Sequence, residues 1–167
     1  MKRLELRAWD KKNKVMFDVY QWNRGDEFDS ITRMIGFNKI ETLFVGEDID
    51  LIQYTGKKDI DDEKLFEGDI VSCLEVWIDK DSKEVIEQNP ANLQVCFQNY
   101  EWVFVGQVFV EDGSNMVRLK FSDYREDMSW GKGIEKWNKD FHALTRWIDF
   151  KVVSNIFKNP ELLQEKS

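Results

Sequence analysis

Between Gly68 and Asp123 apolar residues recur at every second position in short runs, and each run is closed by a turn signal. "DIVSCLEVWI" is a continuous strand former, and "DKDSK" ends it as a turn. "LQVCF" alternates Leu93, Val95 and Phe97 with Gln94, Cys96 and Gln98. "YEWVFVGQVFVE" follows almost at once, with Gly106 mid-run where a bulge or sharp bend is expected. After the "DGSN" turn, "MVRLKFS" sets Val117, Leu119 and Phe121 against Arg118 and Lys120. Strands this short, joined this tightly, predict a meander that curls into a small barrel over about 65–122.

The flanks read differently. "LELRAWDKKNKVMFDVY" predicts two strands around a turn at Asp10–Lys14. Phe28, Ile31 and Ile35, spaced by three and four, predict a short helix stopped by Gly36. Ile134, Trp137, Phe141, Leu144 and Ile148 carry the same spacing and predict a longer amphipathic helix. "FKVVSNIF" returns to strand character. "NPELLQ" then predicts a closing helix, with Asn159 as cap, Pro160 in the first helical position and Glu161 at the positive helix start. With no repeats and no low-complexity linker, the 167 residues read as one domain, mainly β with accessory N-terminal strands and C-terminal helices.

Seven Trp and twelve Phe are many rings for one small core, so some are expected on a surface that another molecule covers. The net charge of −8 opposes broad contact with phosphate backbones. It is uneven: Met1–Met16 holds six Lys or Arg against two carboxylates, whereas Asp59–Asp69 holds six carboxylates against Lys64. The simpler reading is two solvated faces; the sharper one is attraction between subunits. Cys73 and Cys96 sit in apolar runs and form no CxxC pair, and no stretch is long enough to span a bilayer as a helix. A soluble protein of a reducing cytoplasm, without membrane association, is expected.

Three segments together resemble the YopX family, small proteins encoded by phages and prophages. "LRAWDKKNKVM" is similar to the family's opening strand-turn-strand, "LIQYTGKKDIDDEKLFEGDIV" to its signature segment, and "FKVVSNIFKNPELL" to its closing segment. They bracket the chain from Leu6 to Leu163 in the family's order. The resemblance implies an SH3-type barrel in the central part and carries over no catalytic residue, cofactor or partner. Two departures stand out: Asp61-Asp62 replaces an Asn-Gly turn, and Ser154 stands where Gly is usual. The stretch from Asp79 to Ala91 lies outside the resemblance.

The acidic run "DIDDEKLFEGD" is the segment most like a reactive centre. Asp59, Asp61 and Glu63 alternate as in a calcium loop, but Lys64 and Ile70 occupy the positions that need Gly and Glu. It reads instead as a wet loop leading into the strand at Ile70, and no metal is assigned. His142, the one histidine, falls in the helical stripe at a core margin and builds neither a dyad nor a zinc site. "GKG" at 131–133 lacks the spacing of a phosphate loop. No cofactor is expected.

What remains is a non-catalytic phage or prophage accessory protein that acts through protein contacts, including self-association. The candidate surface residues are Tyr100, Trp102, Trp130, Arg118 and Lys120. Trp130, in the glycine-flanked "DMSWGKG", is either an interface anchor or a lid over the barrel's open end. The alternative is single-stranded nucleic-acid binding: Tyr100, Trp102 and Phe104 share a side by period two, and Arg118 and Lys120 share a side of the next strand. Glu101 and Glu111 oppose that alternative. A carboxylate-based enzyme ranks third.

Overall fold

The computed structural model describes residues 5–25, 29–36, 39–110, 113–129, 131–138 and 143–163. The backbone falls into two compact units, Met1–Tyr54 and Thr55–Ser167.

In the first unit, β1 (Leu6–Asp10) pairs antiparallel with β2 (Val15–Asp18). β3 (Trp22–Asn23), β4 (Ser30–Gly36) and β5 (Lys39–Phe44) form a three-stranded sheet. β6 (Ile49–Lys58) lies beside β1, with Ala8 opposite Leu51. The expected strand-turn-strand at Asp10–Lys14 is present: Asp10 accepts the backbone N–H of Lys12 at 3.0 Å and of Asn13 at 2.8 Å. The core joins Ala8, Ile31, Leu43 and Ile49, with Phe17, Val19, Trp22 and Val45 packed against it.

The short helix expected around Ile31 and Ile35 is strand β4 instead; Phe28 lies outside the described residues. Ile31 faces Trp22 on one side and Leu43 on the other, so β4 has a ladder on both edges. A helix this short would have to repay a costly nucleus with few bonds, and two flanking strands offer more.

The second unit holds β7 (Lys64–Phe66), β8 (Asp69–Asp79), β9 (Val85–Gln98), β10 (Glu101–Val110), β11 (Gly113–Lys120), β12 (Arg125–Met128), β13 (Gly131–Asn138) and β14 (Ala143–Asn155). Seven of these make one antiparallel sheet in the order β11-β10-β9-β8-β14-β13-β12. The predicted meander is its first half, and the turn at "DKDSK" forms as expected, with Asp79 accepting the N–H groups of Asp81 and Ser82 at 2.9 and 2.7 Å. β14 then returns along β8, so the sheet draws on residues well past the 65–122 stretch.

The sheet curls into a half-barrel. Phe104 on β10 and Phe150 on β14 are three strand steps apart, about 14 Å in a flat sheet. Their ring centroids lie 4.7 Å apart. Phe121 stacks on Phe104 at 4.2 Å, and Tyr124 meets Phe150 edge-on at 5.3 Å. These rings fill the concave side with Leu65, Val71, Leu93, Val95, Leu119 and Ile134. At Gly106 the register is unbroken, so the expected bulge is not there. A Cβ there would stand 2.1 Å from the Asn92 carbonyl oxygen, a backbone approach that only glycine permits.

The longer C-terminal helix expected from the sequence is a pair of strands. Ile134, Trp137, Leu144 and Ile148 lie on β13 and β14, a hairpin in which Ile134 faces Trp147 and Trp137 faces Leu144; Phe141 and His142 lie outside the described residues. Ile134 is buried whereas Trp137 is exposed, so the three-four spacing mixed two faces of a strand pair. The signal that prevails is period two in β14, where Ala143, Thr145 and Trp147 point inward, reinforced by the β-prone Thr, Trp, Ile and Val of that run. "PELL" forms only a 3-10 turn, Pro160–Leu163. Asn159 does not cap it in the expected way: its carboxamide oxygen accepts the Ser154 hydroxyl at 2.7 Å, and its amide donates to Glu161 at 2.9 Å. Among the described residues no helix is long and apolar enough to cross a membrane.

Candidate functional site

The acidic run folds into a turn organised around one buried carboxylate. Asp59, 1% exposed, points inward. Its Oδ1 accepts the N–H groups of Asp61 and Glu63, both at 2.9 Å, and its Oδ2 accepts that of Val152 at 3.0 Å. Asp62 takes the left-handed conformation (φ 64°) that the Asp61-Asp62 turn requires, and its carboxylate binds Lys132 at 2.6 Å. Asp61 pairs with Lys151 at 2.7 Å. The Lys132 contact holds the exposed Asp62 carboxyl below the usual carboxylate range. Two of the exposed carboxylates are therefore met by lysines from β13 and β14, and the buried Asp59 fastens the loop to the sheet.

The thiols are equally committed. Burial pushes the Cys73 thiol well above its ordinary range, and the nearby Glu75 and Asp149 charges add to the shift. Cys96 moves the same way, first through burial and then through Glu67. Neither is poised as a thiolate.

The aromatic candidates gather at the turn between β9 and β10. Gln98 and Glu101 pair, leaving Asn99 and Tyr100 as a two-residue turn with φ of 51° and 64°. Both central residues are left-handed, the conformation for which hairpins recruit Gly and Asn. Tyr100 pays that strain and is 97% exposed. Beside it Phe97, 49% exposed, meets Trp102 edge-on at 5.0 Å. Trp102 in turn reaches Phe121 at 6.5 Å, so a continuous column of rings runs from the core to this rim.

Arg118 and Lys120 lie elsewhere. Opposed residues in an antiparallel pair share a face. Leu119 faces Phe104 on the concave side, whereas Arg118 faces Val105 and Lys120 faces Val103 on the outer side. Trp102 shares the concave side with Phe104, so the strands pair as anticipated but the rings and the cations fall on opposite faces. Glu101 Oε1 holds both Arg118 and Lys120 at 3.2 Å, and the Lys120 contact foremost lowers its carboxyl. Trp130 lies outside the described residues.

The family model of the YopX protein matches residues 5–164 of this chain. The chain belongs to the YopX family. Among curated proteins, none matches it. The YopX match runs through the Asp79–Ala91 stretch that the three similar segments left out, and that stretch forms the turn that follows β8 and the first half of β9. Ser154, where Gly is usual in the YopX closing segment, has no left-handed backbone; β14 shifts register beside it.

Sequence reasoning passed over Phe97, which the alternation of Leu93, Val95 and Phe97 assigned to the core. The signal was present: with a two-residue turn at Asn99-Tyr100, Phe97 must face Trp102. It also missed Arg33, whose guanidinium bridges Asp10 at 2.6 Å and Glu41 at 2.8 Å and lies over the Phe17 ring at 4.7 Å. No local pattern joins residues so distant in sequence.

Proposed function

We propose that this YopX protein is a non-catalytic accessory protein of a phage or prophage, working in the bacterial cytoplasm through protein contacts made by the aromatic rim at the β9–β10 turn. One observation carries the reading: Tyr100 stands almost wholly in water, in a backbone conformation that costs a non-glycine residue about 1 kcal/mol or more. Strain of this kind persists where it serves a contact. Phe97 and Trp102 supply apolar area next to it, and an exposed Tyr flanked by rings is a suitable interface anchor. The SH3-type barrel belongs to the same reading and is supported by the curl that brings Phe104 to Phe150.

The non-catalytic part rests on what the reactive groups already do: Asp59 serves three backbone N–H groups, and both thiols are held protonated. The nucleic-acid alternative is weakened because Glu101 engages both cations.

The test is a photo-cross-linking residue at position 97, introduced into the full chain with Tyr100 intact or replaced by Gly, in cells carrying the phage or prophage. A protein adduct that depends on Tyr100 supports the reading. Absence of any adduct, together with a salt-sensitive shift of short single-stranded oligonucleotides, overturns it in favour of the alternative.

A further inference from the structure

The seven-stranded sheet has two ends, and they are built differently. At one end β12 has four residues, three of them charged (Arg125, Glu126 and Asp127), and its register with β13 breaks between Arg125 and Met128. Shortness, charge and irregularity are the devices by which natural sheets keep an edge from recruiting another strand.

At the other end β11 runs for eight residues, in unbroken register with β10 from Val103 opposite Lys120 to Val110 opposite Gly113. Its first five residues, "GSNMV", are uncharged. Arg118 and Lys120 are drawn back toward β10 by Glu101. Met116, opposite Gln107 on the outer face, is 68% exposed. Among the described residues no strand lies beyond β11. One end is guarded, and the other offers a long ladder with an apolar side chain at its centre.

We propose that β11 is an assembly edge through which two copies of this chain join antiparallel, with Met116 of one facing Met116 of the other across a two-fold axis. The register follows from geometry. A two-fold axis perpendicular to the sheet keeps each face continuous, so every residue must oppose one of the same face. Centring on Met116 covers the most exposed apolar side chain of the strand and sets Ser114 against Arg118 and Asn115 against Val117. No like charges then meet. A parallel arrangement sets Arg118 on Arg118 and Lys120 on Lys120, which is unfavourable. One strand edge buries little area, so the association is weak and concentration-dependent. The proposal uses none of the rim residues and stands apart from the reading of Tyr100.

Sedimentation velocity and light scattering on the full chain, over a wide concentration range, decide it. The wild type is expected to move from monomer toward dimer as concentration rises. Met116→Lys and Met116→Glu are each expected to stay monomeric, and an equimolar mixture of the two to recover the dimer mass as a heterodimer; Met116→Ile keeps the dimer. Circular dichroism checks that each variant is folded. Hydrogen exchange on the unmodified chain is a second readout, with β11 amides slowing as concentration rises. A wild type that remains monomeric at its highest soluble concentration overturns the proposal. So does a dimer that both charged variants leave intact; if Tyr100→Gly splits that dimer, the contact belongs to the rim instead.

Discussion

Asp59 Oδ2 accepts a 3.0 Å hydrogen bond from the backbone N–H of Val152, 93 positions further along the chain. With Oδ1 holding the N–H groups of Asp61 and Glu63, one buried carboxylate both shapes the acidic turn and fastens it to β14. Removing it leaves three N–H groups without their acceptor, so Asp59→Ala is expected to lower the unfolding free energy by about 3 kcal/mol, read by urea denaturation. Asp59→Asn keeps one oxygen but turns an amide toward a donor, and falls between. Asp61→Ala, which loses only an exposed lysine contact, is expected to change little. The reverse order of losses would show that the loop's charge matters more than its turn.

Gly106 lets the backbone of β9 approach β10 closely. A methyl group there meets the Asn92 carbonyl oxygen at 2.1 Å and the Leu93 Cα at 2.9 Å, both backbone atoms that cannot swing aside. Gly106→Ala is therefore expected to cost about 3 kcal/mol, the upper range for overpacking, seen as a drop in Tm. Retention of wild-type Tm would mean that β9 and β10 separate without penalty.

How much of this was legible in the sequence depends on the range of the interaction. The strands from Ile70 to Lys120 were, apart from the first half of β9, because apolar alternation and turn residues are local signals. The hairpin of β13 and β14 was not: Ile134, Trp137, Leu144 and Ile148 satisfy a helical spacing although Ile134 and Trp137 fall on opposite faces of β13, and the pairing of β14 with β8 decides for strands. β14 pairs with a strand some seventy residues earlier, and pairing of that range leaves no trace in a local window. At the candidate site, alternation correctly put Trp102 with Phe104. It gave no means of knowing that Glu101 would engage Arg118 and Lys120, because that depends on which strand lies beside which.

Acid should loosen the first unit through Asp10. Burial acts to raise its carboxyl, but hydrogen bonds from the Asn13 backbone and side chain and from Arg33 outweigh it, leaving the group at about 2 against an ordinary 3.8. A carboxyl depressed on folding contributes stability that is fully present above its unfolded value and disappears as pH falls through its folded one. The contribution, at most about 2 kcal/mol, is thus complete above pH 4 and lost progressively toward pH 2. Denaturant midpoints measured across that window should fall more steeply for the wild type than for Asp10→Asn. Parallel curves would place the acid sensitivity elsewhere.

Tyr100 yields the prediction that best separates a structural from a functional role. Its left-handed φ of 64° costs a tyrosine about 1–2 kcal/mol, and glycine adopts it freely at the expense of greater freedom in the unfolded chain. Tyr100 makes no core contact at 97% exposure, so little packing is lost on truncation. Tyr100→Gly is accordingly expected to raise stability by roughly 0.5–1 kcal/mol, read from the denaturant midpoint, while abolishing the partner adduct at position 97. Asn99→Gly, at a residue that tolerates the same conformation, should gain less and leave the adduct intact. If Tyr100→Gly instead destabilises the chain, the ring supports the hairpin and is no longer available as evidence for a contact.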